Sequence, residues 1–166
     1  RNIATGSLTK RLDIEDGTKL SNPLIEFYYK NDKLGDPIVA REHINTFEWA
    51  SVLELDYITN QCLRINDFLL GMFKGVGIKL VDFKSEFGKR KSDNKIILAD
   101  EISPDTCRLW DANTDKKLDK DRFRKDLGNI IQGYQEVARR LGIMPEETNI
   151  SEVNFGKTIP IKFKKK

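Results

Sequence analysis

The sequence predicts an α+β domain in which an antiparallel sheet is backed by two long helices. Apolar residues recur at helical spacing in 48–74 and again in 119–142, and residues 78–101 have the pattern of a β-hairpin. A chain of 166 residues is also long enough to bury the core of one domain of ordinary size.

The two long helices are predicted from apolar stripes. In the first helix the stripe repeats at spacings of four and three, and Gly75 and Gly77 end it. Its members are Ile58, Cys62, Ile65, Leu69 and Met72. In the second, Asp119 or Asp121 can cap the start and Gly142 ends the helix. Such stripes are typical of core-facing helices, so we assign them no chemistry.

The strands are predicted from their composition and alternation. LIEFYYK (24–30) is rich in β-forming residues. IKLVDFKSEFG (78–88) alternates, with Asp82, Lys84 and Glu86 on its polar side. After the polar turn KRKSDN, KIILADE returns as the second strand of the hairpin. Glu86 and Asp100 can then approach each other, although the length of the turn leaves the register open.

Composition and charge exclude several classes of protein. The net charge of +3 gives no strong reason to bind nucleic acid or an anionic membrane. No apolar run approaches the roughly 20 residues that span a bilayer. Cys62 and Cys107 form neither a disulfide framework nor a zinc motif. We therefore expect a cytoplasmic protein that binds neither nucleic acid nor membrane.

One candidate site is a pair of carboxylates on the predicted hairpin. Magnesium takes one or two carboxylates from a protein and completes its shell with water and phosphate. Glu86 and Asp100 would supply that minimum. From spacing alone, exposed charges paired with Lys84 are an equally good interpretation.

A second candidate site is basic. Guanidinium groups bind phosphate oxygens bidentately, and a serine hydroxyl beside Gly6 adds a donor. The residues concerned are Arg1, Ser7, Lys10, Arg11, Arg108, Arg122 and Arg124. A solvated surface arginine is the better interpretation for any single one of them, but together they suggest a dianionic ligand.

Other catalytic patterns do not occur in the sequence. The one histidine, His43, has a loop-like context and is expected to be structural. There is no Ser–His–Asp set, Cys–His pair or GxxxxGK loop. An enzyme with this sequence would work by positioning and electrostatics around a metal, as in phosphoryl transfer.

Five motifs occur in a fixed order: RNxATGSLxKRL, GDP, VDFKxEFG, LADEISPDxxRLWD and KLDKDRFR. Together they resemble the SAICAR synthetase (phosphoribosylaminoimidazole-succinocarboxamide synthase) family over residues 1 to about 142. The resemblance implies a two-lobed, ATP-grasp/kinase-like fold in which 1–142 form the larger lobe, which binds substrate and magnesium. We expect 143–166 to be a C-terminal extension and the family's ATP-covering N-terminal lobe to be absent from this string.

The resemblance also implies an activity, an ADP-forming amide ligase of de novo purine (IMP) biosynthesis. ATP activates the carboxylate of carboxyaminoimidazole ribonucleotide (CAIR), and the amine of L-aspartate attacks it to give SAICAR. The implied cofactors are ATP and Mg²⁺, and the implied partners are CAIR, L-aspartate and ATP. The oligomeric state stays open, with a homodimer as one possibility.

The site residues follow from the same resemblance. It implies that Glu86 and Asp100 hold magnesium at the ATP phosphates, with Lys84 and Asp100 as catalytic residues. The residues implied to bind substrate are Arg1, Ser7, Lys30, Asp36, Asp105, Arg108 and Arg124.

Two other functions are compatible with parts of the sequence. A small-molecule kinase of similar design would share the metal carboxylates but transfer phosphate to a hydroxyl group. A basic RNA-binding module is less consistent with the small net charge and with an acidic cluster that would repel phosphate in the absence of a metal.

Overall fold

The computed structural model describes residues 1–119, 121 and 130–144. The predicted α+β class is confirmed: these residues form four helices and three antiparallel pairs of strands. The helices are α1 (Ser7–Leu12), α2 (Arg41–Thr46), α3 (Val52–Gly75) and α4 (Ile130–Arg140). The strands are β1 (Phe27–Tyr28), β2 (Ile38–Val39), β3 (Ile78–Phe83), β4 (Phe87–Lys89), β5 (Ile96–Leu98) and β6 (Cys107–Asp111).

The first predicted long helix is confirmed as α3, but it begins at Val52 rather than Glu48. Ser51 and Glu54 form a capping box there. The Ser51 hydroxyl accepts from the Glu54 N–H at 3.3 Å, and the Glu54 carboxylate accepts from the Ser51 N–H at 2.8 Å. This exchange satisfies two backbone donors that a helix otherwise leaves unpaired, so it fixes the start of the helix.

The predicted hairpin over 78–101 is wrong in its first strand. β3 pairs antiparallel with β6, and the hairpin consists of β4 and β5 alone. The chain changes partner at Lys84, whose N–H donates to the Thr106 carbonyl at 2.7 Å. The alternating pattern runs through 78–88, so it does not show where the pairing partner changes. A strand with this alternation can pair with β5 or with β6.

The β3–β6 pair lies in the core with α3 and α4. The buried cluster consists of Leu69, Phe73, Ile78, Leu80, Cys107, Leu109, Leu118 and Val137. Both predicted apolar stripes therefore contribute to one core. In the described part of the chain, no helix is both long and apolar enough to cross a bilayer.

Three smaller expectations are corrected or restricted. The strand predicted over 24–30 is reduced to β1, and the predicted loop around His43 is helix α2. His43 Nδ1 accepts from the Ala40 N–H at 3.2 Å, as a structural histidine would. Of the helix predicted over 119–142, residues 120 and 122–129 lie outside the described residues, as does most of the predicted extension.

Candidate active site

Two arginines from distant parts of the chain share one carboxylate. Asp82 Oδ2 accepts from Arg1 Nη1 at 2.9 Å and from Arg108 Nη1 at 2.8 Å. Asp82 is only 6% exposed, and its Cα partner across the β3–β6 ladder is Arg108. The structure therefore brings together two residues that the sequence separates by more than one hundred positions.

A second carboxylate holds the other side of each guanidinium group. Arg1 Nε donates to Glu26 at 2.6 Å, and Arg108 Nε donates to Asp121 at 2.8 Å. Burial alone would raise the pKa of Glu26, but its hydrogen bond and charge interaction with Arg1, and its ion pair with Arg11, lower it. Burial would lower the pKa of Arg108, yet Asp82 and Asp121 raise it, so this half-buried guanidinium group stays charged.

The Nη2 groups of both arginines lie beside Gly6 and Ser7, where α1 begins. Arg1 Nη2 donates to Ser7 Oγ at 3.3 Å and to Tyr28 Oη at 3.4 Å. Gly6 has a φ of 64°, and a Cβ atom added there would lie 2.9 Å from Arg108 Nη2. Glycine is required because it alone permits both this backbone conformation and this approach.

A second cluster alternates lysines and carboxylates. Asp36 Oδ2 lies 3.7 Å from Lys30 Nζ and 3.7 Å from Lys84 Nζ, and Lys84 Nζ lies 2.9 Å from Glu86. The hydrogen bond with Glu86 raises the pKa of Lys84 in spite of partial burial. Lys84 is therefore a fixed positive charge at neutral pH.

The backbone around Asp36 is held in a rarely used conformation. Its φ is 49°, in the left-handed region, and the Asn31 N–H donates to its carboxylate at 2.8 Å. This hydrogen bond is the largest cause of the lowered pKa of Asp36. Burial opposes it, and the charges of Lys30 and Lys84 lower the pKa further. Strain of this kind persists only where surrounding contacts fix it, and it is often found at functional sites.

Asp100 follows β5 at the edge of the lysine cluster. The Ala99 N–H donates to the Glu86 carbonyl at 2.8 Å, so the backbone of Glu86 is paired with Ala99, the residue before Asp100. The Asp100 carboxylate accepts from the Glu101 N–H at 3.0 Å. Hydrogen bonding to the Glu101 side chain and backbone lowers the pKa of Asp100, and the charges of Lys84 and Lys30 contribute.

The donor set fits a magnesium ion that completes its shell with phosphate and water. Glu86 and Asp100 provide two carboxylates on adjacent strand ends, which is the minimum that such a site needs. Within 1–119, 121 and 130–144, no group of three or more His, Cys, Asp or Glu side chains is arranged to hold a metal.

Two of the predicted substrate residues are not placed in these clusters. Asp105 lies in the turn before β6 and accepts from Tyr134 Oη of α4 at 2.5 Å. Burial and this hydrogen bond raise the pKa of Tyr134, so the phenol stays protonated. Arg124 lies outside the described residues.

The sequence interpretation missed the carboxylates that hold the two arginines. The sequence places Asp82 on the polar side of a strand, but the residue is buried. Glu26 and Asp121 have no role in the predicted site. One signal was available for Asp82: an acidic residue between Val81 and Phe83 in an apolar strand needs a charged partner if it is buried.

Comparisons with known proteins identify relatives over most of the chain. A family model described as SAICAR synthetase matches residues 1–141. The chain is 63% identical to phosphoribosylaminoimidazole-succinocarboxamide synthase of Pelagibacter ubique, over 99% of this chain and 64% of that protein. For the protein of the same name from Rhodospirillum centenum, the identity is 60% over 88% of this chain and 58% of that protein. The chain thus spans about three fifths of the length of these relatives.

Solved structures show the same relationship. Phosphoribosylaminoimidazole-succinocarboxamide synthase from Ehrlichia chaffeensis matches with a TM-score of 0.83 and 55% identity, over 87% of this chain and 62% of that chain. A SAICAR synthetase (type 2) in complex with ADP matches with a TM-score of 0.82 and 48% identity, over 88% and 62% respectively. These comparisons favour neither a small-molecule kinase nor an RNA-binding module. The chain belongs to the SAICAR synthetase family.

Proposed function

We propose that this chain carries the substrate- and magnesium-binding part of an ADP-forming amide ligase that joins L-aspartate to CAIR to give SAICAR. The observation that carries the proposal is the convergence of the predicted residues into two adjacent clusters. Arg1, Ser7 and Arg108 form a cationic site around Asp82, and Lys30, Asp36, Lys84 and Glu86 form a second cluster beside Asp100.

The two clusters lie along the same pair of chain segments. Glu26, Tyr28 and Lys30 alternate on one segment, and Asp82, Lys84 and Glu86 alternate on the other. Arg1 joins the two segments at one end, through Glu26 and Asp82. Asp36 bridges Lys30 and Lys84 at the other end. A ribonucleotide can therefore place its phosphate at the arginines and its carboxylate near the lysines.

The arginine cluster is suited to the ribonucleotide phosphate. The Nη2 groups of two arginines lie beside Gly6 and the Ser7 hydroxyl group, and neighbouring carboxylates keep both guanidinium groups charged. Charge-assisted hydrogen bonds from such a preorganised pair are the strong kind. We assign Arg1, Ser7 and Arg108 to this phosphate.

The lysine cluster is suited to the reacting carboxylate and the ATP phosphates. Glu86 and Asp100 would hold magnesium, which supplies charge neutralisation at the phosphates when it is bound. Lys84, with its raised pKa, stabilises developing negative charge and does not accept the amine proton. Asp36 keeps Lys84 and Lys30 together. Asp105 and Arg124 remain proposed substrate residues.

The experiment that tests this proposal is the substitution Asp100→Asn in the complete protein. Removing one magnesium ligand should lower turnover by about 10²-fold. The fold should be unaffected, since the Asp100 carboxylate bonds to the adjacent Glu101 N–H. The assay supplies ATP, magnesium, CAIR and L-aspartate, and follows ADP and SAICAR together.

Asp93→Asn is the matched control, because Asp93 lies in the same hairpin and pairs with Arg90 at its turn. It should retain normal turnover. Normal activity of Asp100→Asn at saturating magnesium would remove Asp100 from the site. Release of ADP without SAICAR in the unsubstituted protein would contradict the proposed reaction itself.

A further inference from the structure

We propose that Asp82 is a positioning residue that sets the affinity of the site for the ribonucleotide phosphate by holding Arg1 and Arg108 in place. The inference rests on the proposed function. It identifies a residue that sets the affinity for one substrate without contacting that substrate. Asp82 itself bonds to the two guanidinium groups, whose Nη2 groups lie beside Gly6 and Ser7.

The position of Asp82 follows from an irregularity in β3. The register of the β3–β6 ladder shifts between Leu80 and Asp82, at Val81. Such a bulge redirects the side chains that follow it. Val81 and Asp82 are both buried as a result, although they are consecutive in a strand. A buried carboxylate in this position needs cations around it, and Arg1 and Arg108 supply them.

The shared carboxylate allows the two guanidinium groups to lie side by side. Arg1 Nη1 and Arg108 Nη1 both bond to the same atom, Asp82 Oδ2, at 2.9 and 2.8 Å. Two like charges in partial burial repel each other strongly unless an opposite charge lies between them. Asp82 therefore keeps the two guanidinium groups next to each other, in addition to fixing the position of each one.

The remaining donors determine where a ligand binds. Glu26 and Asp121 occupy the Nε edges, and Asp82 occupies the Nη1 groups. The Nη2 groups of both arginines lie at the start of α1, near Ser7 Oγ for Arg1 and beside Gly6 for Arg108. Moving either guanidinium group would separate these donors, and bidentate recognition of a phosphate depends on their geometry.

The test compares Asp82→Asn with the unsubstituted protein in the full enzyme. We expect KM for CAIR to rise by about tenfold or more, with kcat at saturation and KM for ATP changed by less than about twofold. Asp82→Glu keeps the charge and should recover part of the lost affinity. If Asp82→Asn does not fold, Asp82→Glu carries the test, since it should still raise KM for CAIR selectively.

Asp111→Asn is a matched control for burial. Asp111 lies on the same strand pair, is 7% exposed and pairs with Arg140. It should lower the melting temperature and leave KM for CAIR unchanged. If Asp82→Asn raises KM for CAIR and KM for ATP alike, as a general structural defect would, the inference is overturned.

A double-mutant cycle with Arg108→Lys tests whether Asp82 acts through Arg108. The effects of Asp82→Asn and Arg108→Lys on CAIR binding should be clearly less than additive, because the two residues are in contact. Fully additive effects would overturn the inference.

Calorimetric titration with CAIR separates this inference from the proposed function. If the unsubstituted protein does not bind CAIR, the proposed function fails. If Asp82→Asn binds CAIR as tightly as the unsubstituted protein does, only the role of Asp82 is rejected.

Discussion

At the scale of single residues, the site depends on carboxylates that hold cations in place. Arg108 is bonded to Asp82 and Asp121 on two edges, which fixes the plane of its guanidinium group. A lysine has one ammonium group and cannot reproduce this fork. The role of Arg108 therefore depends on the planar shape of its guanidinium group and not only on its positive charge.

Arg108→Lys should weaken the binding of CAIR by about tenfold, the loss expected for one charge-assisted hydrogen bond, while ATP binding changes little. Calorimetric titration of each ligand separately measures both affinities. Arg41→Lys is the control, because Arg41 forms an exposed ion pair with Asp56 away from the site. Equal weakening of both ligands would instead place Arg108 at the ATP phosphates.

At the scale of elements, Glu54 links the start of α3 to the β4–β5 hairpin. Its carboxylate accepts from the Ser51 N–H, and Lys89 of β4 lies 2.6 Å away. The hydrogen bond with Lys89 and the backbone bond at Ser51 lower the pKa of Glu54 from 4.5 to about 2. One residue therefore caps the helix and also fixes the hairpin that carries Glu86 and Asp100.

The lowered pKa of Glu54 predicts how stability depends on pH. The folded-state pKa lies below the unfolded value, so the contribution of Glu54 to stability is complete above about pH 4.5 and is lost as the pH falls towards 2. Glu54→Gln should reduce the free energy of unfolding at pH 7 and should flatten its pH dependence between these values.

Urea denaturation at a series of pH values measures this dependence. Asp67→Asn, on an exposed part of the same helix, is the control for the loss of one surface carboxylate. An unaltered slope in Glu54→Gln would show that Glu54 is not ionised preferentially in the folded protein.

At the scale of the whole molecule, α4 is fastened to the β3–β6 pair by Arg140. Arg140 Nη2 lies 2.6 Å from Asp111, and Nη1 donates to the Gly77 carbonyl at 2.8 Å. Val137 of the same helix is part of the core. The hydrogen bonds from Arg140 and Thr114 lower the pKa of Asp111, so this carboxylate stays ionised where the helix is attached.

Arg140→Ala should lower the melting temperature by about 2–4 °C or more, because it leaves Asp111 and the Gly77 carbonyl without this donor. Thermal unfolding followed by circular dichroism measures the change. Arg139→Ala is the control, since Arg139 is more exposed and pairs with Glu136 on its own helix. A similar decrease in both variants would contradict a specific role for Arg140.

Much of the fold and part of the site could be predicted from the sequence. The apolar stripe of α3 is local to one element, so it can be recognised without the tertiary structure. The S-x-x-E pattern at Ser51 is also local, but the predicted start at Glu48 did not use it. The motifs predicted Arg1, Ser7, Lys84, Glu86 and Arg108 as site residues, and the structure brings Arg1, Ser7 and Arg108 together. The pairing of β3 could not be predicted, because it depends on a partner that lies beyond the next hairpin.

The sequence by itself determined the α+β class, the long helix and the family to which the chain belongs. These depend on periodicity and on ordered motifs, which are properties of neighbouring residues. Only the tertiary structure decided that Asp82 is buried between Arg1 and Arg108, and that Lys30 and Lys84 meet at Asp36. The physical reason is that a charge acquires its role from the opposite charges around it, and folding brings these from distant parts of the chain.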